Sequence, residues 1–283
     1  MKNCTVTVVG VDGSEWKVHD RSNAGAPVFL GQDPEGLLEA PVQTVWQKVA
    51  HGAGASFAGV KWEPADLVLQ FVVRGTAQRS WASVESAWRR AWSYEEQSTL
   101  IVNTAESGAR RLKVQMLEAP KVEVEVDPHR RKVSVMVMTL RAADPFWHGL
   151  PDVQVVKAAT ASGSGSVTVW NPTDRPMWLR WVLQAGARWT LPDFDYGGGF
   201  RTITMPTAYT SRDVAVDTHP LREQITVPGL ANAWEYMNGV QFMHPVPAWT
   251  EPVEVPVSWT GASGSPSAAV YMDRNWTRPW GME

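Results

Sequence analysis

The sequence predicts a mainly β chain built as two β-sandwiches, the first carrying one α-helix. Three observations predict it. Short runs with two-residue alternation recur along the chain, separated by Gly, Pro, Asn and Asp. Only residues 76–97 carry apolar side chains at helical spacing. After Leu150 the chain is rich in Trp, Pro and Gly and has no helical period, which reads as a sandwich or jelly roll. The 283 residues suffice for two domains, each able to bury about two-thirds of its unfolded surface. The expected domains are residues 1–149 and 150–283.

Thr5–Val9 alternates and reads as a strand. Val11-Asp12-Gly13-Ser14 is a turn signal, and Trp16 and Val18 continue into a second strand. Ser22–Pro41 reads as a long Gly/Pro loop. No lysine follows its glycines at phosphate-loop spacing, so a nucleotide site has no support. Val42–Val49, Ala55–Trp62 and Asp66–Arg74 read as strands. In the expected helix, Trp81, Val84, Trp88 and Trp92 form a stripe that packs on a sheet, and Glu85 and Arg89 form an i,i+4 pair outside it. Ser98–Asn103, Arg110–Leu117 and Lys121–Asp127 are further strands.

The stretch Lys121–Gly149 organises the first half. Val122, Val124 and Val126 alternate with Lys121, Glu123, Glu125 and Asp127, so the valines are expected inward and the carboxylates outward. Asp127–Arg130 is a turn. Val133, Val135 and Val137 then oppose Ser134, Met136 and Met138 in a strand that ends at Asp144-Pro145, where proline removes a ladder donor. Phe146 and Trp147 follow at once. These four residues, Asp144 to Trp147, are either a plug seating one domain against the next or a strand end closing its own core. The spacing leaves both open.

In the second half, Ala158–Ser166 has a linker or loop composition. Val167–Trp170 and Met177–Leu183 read as strands, with Arg188–Leu191 expected to pair with Met177–Leu183 across Gly186. Phe200–Met205, Asp213–Val216, Gln224–Val227, Val240–Met243, Val253–Trp259 and Ala268–Met272 continue the pattern.

Chemistry-bearing motifs are few. Net charge is −3, with no general attraction to nucleic acid or acidic membranes. Cys4 is alone, so no intrachain disulfide is expected. The N-terminus is too short and polar for a signal peptide and no apolar run reaches transmembrane length, so synthesis in a host cytoplasm and no membrane binding are expected. Asp193 and Asp195 before Gly197–Gly199 are too few for a calcium loop. His219 and His244 lack metal-motif companions, and there is no nucleophile elbow. Glu123 and Glu125 lie on a solvated strand with nothing to separate their pKa values as an acid/base pair. No catalytic, cofactor or metal residue is therefore expected. The 16 tryptophans call for broad cores or contact surfaces. Trp178, Trp181, Trp189, Trp249, Trp276 and Trp280 could offer a sugar-stacking surface, though alternation turns most of them inward.

The order of features resembles a known family. Gly10, Asp12, Gly13, Ser14 and Trp16 open it, followed by a Gly/Pro loop with Gly36-Leu37 and Pro41. Then come strands, one helix, more strands, and the ending Arg141, Asp144, Pro145, Phe146, Trp147. This resembles the distal tail proteins of long-tailed, non-contractile phages, often called minor tail proteins in phages of actinobacteria. The resemblance covers residues 1 to about 149. It implies a tail-tube-like first domain, a galectin-like second domain, and a homohexameric ring in the virion. That ring would join the tail tube protein to the tip hub and other minor tail proteins, and DNA and tape-measure protein would pass through it. Glu123, Glu125 and Asp127 are then channel-lining candidates, repeated around the ring. The alternative is a carbohydrate-binding module for host cell-wall glycan.

Overall fold

A computed structural model describes residues 4–20, 25–48, 52–123, 126–194 and 200–282. The chain divides into two compact units, residues 1–149 with 276–282, and residues 150–275. The last residues had been expected in the second domain. They belong with the first because Trp276 and the backbone of 277–281 pack on its strands.

The first unit contains β1 (Cys4–Val9), β2 (Glu15–His19), β3 (Val28–Leu30), β4 (Val42–Lys48), β5 (Ala55–Trp62), β6 (Ala65–Arg74), α1 (Trp81–Arg90), β7 (Ser98–Thr104), β8 (Gly108–Met116), β9 (Lys121–Glu123), α2 (Pro128–Arg131), β10 (Val133–Ala142) and β11 (Trp147–His148). Strand order is β2-β1-β7-β8-β10-β6-β3. The β8–β10 junction is narrow, with Leu140 opposite Met116 and Arg141 opposite Gln115. The inward side chains of β1, β6, β7, β8 and β10 share one apolar core with α1.

The opening motif is a structural lock. Gly13 takes a positive φ of 76° in the β1–β2 turn. Asp12 accepts from the Ser14 backbone, and Ser14 Oγ accepts from Trp16 Nε1 at 2.8 Å. The Ser14 hydroxyl bond holds the Asp12 carboxyl below the usual carboxylate range. Val11 donates to the Ala91 carbonyl at the end of α1, and a Cβ on Gly10 would sit 2.6 Å from Ala91 Cβ. Trp16 meets Trp88 edge-on at 5.4 Å. The turn is thus fastened to the helix it faces.

α1 is shorter than expected. Ser80 caps it by accepting from Ser83, and it stops at Ala91. Val84, Ala87 and Trp88 face inward, and Trp88 lies 4.8 Å from Phe71 of β6. The Glu85–Arg89 pair forms at 2.7 Å. The expected 22–41 loop contains β3, which pairs with β6 and is too short to show alternation. On β10 the buried face is Ser134, Met136, Met138, Leu140 and Ala142, and the opposing valines are half-exposed. Burying Ser134 is tolerated because its hydroxyl accepts from Trp81 Nε1 at 3.0 Å.

The second unit is a β-sandwich. Its strands are β12 (Asp152–Lys157), β13 (Gly163–Asn171), β14 (Leu179–Leu183), β15 (Arg188–Phe194), β16 (Phe200–Thr204), β17 (Val214–Asp217), β18 (Ile225–Thr226), β19 (Thr250–Thr260) and β20 (Ser267–Met272). After them, β21 (Asn275–Trp276) carries the chain back to β11. A five-stranded sheet, β12-β20-β14-β17-β18, and a four-stranded sheet, β13-β19-β15-β16, enclose one core. β14 and β15 therefore lie in different sheets rather than forming the expected hairpin. Gly186, at φ 107°, turns the chain between them. Residues 163–166 are strand and not linker. Their small side chains make room for Trp259, whose ring would lie 3.0 Å from a Cβ on Gly163. Residues 240–243, expected as a strand, are not one.

Candidate assembly surface

β4 and β5 form a two-stranded sheet of their own, and the described residues pair nothing to either outer edge. Val42 stands opposite Trp62, Thr44 opposite Val60, and Trp46 opposite Phe57. A bulge at Ala58 shifts the register between the last two pairs. Alternate residues share a face, so Val42, Trp46, Phe57, Val60 and Trp62 form one apolar row interrupted only by Thr44. Gln43, Val45, Gln47, Ser56 and Lys61 fall on the other face.

The apolar row is not covered. Val42, Trp46, Phe57 and Val60 are 52, 55, 55 and 47% exposed. Trp46 and Phe57 meet edge-on at 5.6 Å, and Trp46 Nε1 donates to Thr44 Oγ1 at 3.0 Å. An isolated two-stranded hairpin is at best marginally stable in water. A contiguous apolar patch on one marks a contact surface.

The strand-end residues reach the base of this row. Asp144 accepts from the Phe146 backbone at 3.1 Å and lies 3.0 Å from His148 Nε2, which shapes the turn through buried Pro145. Phe146 is half-buried and meets Trp62 edge-on at 5.3 Å. Trp147 is 1% exposed and belongs to the first unit's core. The two aromatics therefore have separate surroundings. Just before them, Arg141 grips Asp66 with two hydrogen bonds of 2.6 and 2.7 Å, holding that carboxyl below its usual range.

The channel-lining candidates lie elsewhere. Glu123, on β9, and Asp127, which accepts from His129 as cap of α2, are exposed. Glu125 and Val124 lie outside the described residues. Val122 and Val126, expected inward, are exposed at 36 and 41%. Beyond the described strand Lys121–Glu123, residues 126–132 carry the exposed Arg130, Arg131 and Lys132 beside Asp127. They present both signs of charge and not a carboxylate face alone.

Several suggestive groups are structural. Asp193, at 2% exposure, is paired with Arg201 at 2.7 Å and His244 at 3.1 Å and also accepts from the backbone of Met243 and His244. Asp195 and Gly197–Gly199 lie outside the described residues. His219 Nδ1 accepts from Leu221, and burial pushes the His219 pKa down. Trp181, Trp189 and Trp276 are core residues, while Trp178 packs on His219. Among the described residues, no group of three His, Cys, Asp or Glu is placed to hold a metal, and no helix is long and apolar enough to cross a membrane.

Two β-rich units, one bearing an uncovered apolar hairpin, define a protein whose surfaces are built for contact. Comparison with known proteins gives that class its setting. No protein-family profile matches the chain. It is 26% identical to minor tail protein Gp27 of Mycobacterium phage D29, covering 99% of both chains. It is 25% identical to minor tail protein Gp27 of Mycobacterium phage L5, again over 99% of each. Among solved structures it shares the fold of the phage SPP1 Dit protein, described as a paradigm of hub adsorption apparatus in Gram-positive-infecting phages. That match has a TM-score of 0.61 at 11% identity, covering 95% of this chain and 98% of that one. A chain of the phage P2 baseplate in its activated conformation matches at TM-score 0.53 and 9% identity, covering 96 and 98%. Over its full length the chain is thus similar to phage minor tail proteins, which are structural components of the virion and not enzymes, and it has the fold of the SPP1 Dit protein.

Proposed function

We propose that identical copies of this chain close into a ring, a hexamer as the family resemblance implies, at the distal end of a non-contractile tail. The ring joins the tail tube protein to the tip hub and other minor tail proteins. It leaves a bore through which tape-measure protein and DNA pass. The observation that carries this reading is the apolar row on β4–β5. Its occupant is a neighbouring copy: a ring formed by head-to-tail contacts presents the same hairpin to the same receiving surface at every joint, so one patch per subunit closes the circle and covers strand edges that invite aggregation. Covering the four half-exposed side chains would add roughly 3–6 kcal/mol per joint before the costs of association. Phe146, at the base of the row, extends the same contact. Residues 121–132, with Glu123, Glu125 and Asp127, face the bore, where mixed charge gives DNA no continuous basic track to bind.

Light scattering and negative-stain images of purified protein test this. The wild-type chain should give a discrete ring. Trp46→Glu combined with Phe57→Glu should give single subunits whose first core keeps its melting, because both side chains are exposed and lie outside that core. Rings that persist in the double variant overturn the hairpin's role. A ring whose image places residues 121–132 on the outer rim overturns the bore assignment.

A further inference from the structure

We propose that a cavity in the second unit binds one sugar ring of a neutral glycan, with Trp234 as its stacking platform. The cavity has a volume of about 350 Å³, at the small end of the range for ligand sites. Gln224 and Ile225 are its buried lining, and Pro220, Arg222, Glu223, Trp234 and Gln241 its exposed rim. The inference does not depend on ring formation, and none of the six tryptophans considered from the sequence takes part.

The cavity is held rigid by buried polar contacts. Gln224 is 5% exposed and fully engaged: Nε2 donates to the carbonyls of Thr218 and Phe242, and Oε1 accepts from the Phe242 backbone at 3.0 Å. One amide thereby ties the segment carrying Gln241 to the one carrying Glu223. The Gln241 carbonyl also accepts from Arg201, which the buried Asp193 orients. Trp234 sits on a short helical turn, Ala233–Met237, whose Ala233 and Met237 are buried and whose flanking Asn232 and Asn238 take positive φ. Tyr209 Oη donates to the Ala233 carbonyl. The turn that carries Trp234 is therefore anchored, while Trp234 itself stays 39% exposed.

The rim retains binding capacity. The side chains of Glu223 and Gln241 are exposed and have no hydrogen-bond partner among the described residues. Arg222 uses Nη1 on Asp217 at 3.2 Å and is otherwise exposed. A carboxylate, a primary amide and a guanidinium offer acceptors and donors in planes, which suits adjacent hydroxyls that both donate and accept. The aromatic face suits the C–H face of a sugar ring. The charges of Arg222 and Glu223 oppose each other, so the site does not select an ion. β18, at this edge of the sheet, has two residues, too few to add a peptide strand.

The test is saturation-transfer NMR on the full chain with glucose, galactose, rhamnose and N-acetylglucosamine as separate probes. At least one should receive saturation, strongest on the hydrogens of one ring face. Trp234→Ala should weaken that binding by about tenfold or more, while Trp249→Ala, which removes an exposed indole outside the cavity, should not. Glu223→Gln, nearly the same size, should also weaken it and carries the test if Trp234→Ala proves unstable. Transfer to none of the four sugars, or transfer that survives both substitutions, overturns the assignment.

Discussion

Trp147→Ala is the substitution that separates a core role from a surface role at the strand end. Trp147 is 1% exposed, and its neighbour His148 pairs with Arg111 of β8. A buried tryptophan withdraws about 150–250 Å² from water. At about 25 cal/mol per Å², and allowing for the area alanine keeps, its loss costs about 3–5 kcal/mol, cavity included. For a unit of this size that corresponds to a melting shift of about 10 °C. Hydrogen exchange read by mass spectrometry resolves the two units within one molecule. Amides of β6, β8 and β10 should lose protection by the full amount, and those of β14 and β20 should keep theirs. Phe146→Ala is the internal control: that ring is half-buried, and its edge contact with Trp62 is worth about 0.5–1.5 kcal/mol. Equal costs for the two substitutions, or protection lost first in β14 and β20, would refute the placement of Trp147 in the first unit's core.

Acid should act partly through Asp66. Arg141 depresses its folded pKa, so its contribution is present above the ordinary carboxylate range and is lost as pH falls through the folded value. Urea midpoints of the wild type and Asp66→Asn should therefore differ modestly at neutral pH, because the pair is half-exposed, and converge in acid; parallel curves would remove the pair from the account. Residues 1–149 expressed alone should melt earlier and expose more apolar surface to dye than the full chain's first unit, and adding a peptide of residues 276–282 should partly restore them. A fragment as stable as the intact unit would show that the terminal segment is dispensable.

The fold was legible where one face alone is buried. DLVLQFVVR of β6 has the alternation of a half-buried strand and pairs with β10 residue for residue. The opening Gly10–Trp16 motif was recognisable because each position answers a local need of one turn. Alternation does not say which face is covered, as β10 shows, where methionines and a satisfied serine face the core. It also hid the assembly surface: β4 and β5 read as ordinary strands, and only the three-dimensional arrangement shows their apolar row uncovered. The Gly/Ser composition of 163–166 suggested a linker, whereas a ring from a distant strand required small residues. Trp234 escaped notice because residues 230–239 have no period, and its surroundings come from segments far apart in sequence.

The division into two units is not a division of the chain into two pieces, and Arg110 shows why. Its side chain is fully buried, with the guanidinium 3.9 Å from the Trp276 ring. Nη1 donates to the Arg278 carbonyl at 2.9 Å and Nη2 to the Gly281 carbonyl at 2.8 Å. Burying an arginine is costly unless its donors are met, and an irregular segment leaves carbonyls unmet unless donors reach it. Each requirement answers the other, and the Ala40 amide takes the Thr277 carbonyl besides. Arg110 belongs to β8, a strand read from sequence alone as an ordinary alternating run, and nothing in its neighbours announces a buried cation. The pairing partners are some 170 residues away. The first unit is thus completed only after the second has been synthesised, so residues 150–275 form an insertion within it and not an appendage to it.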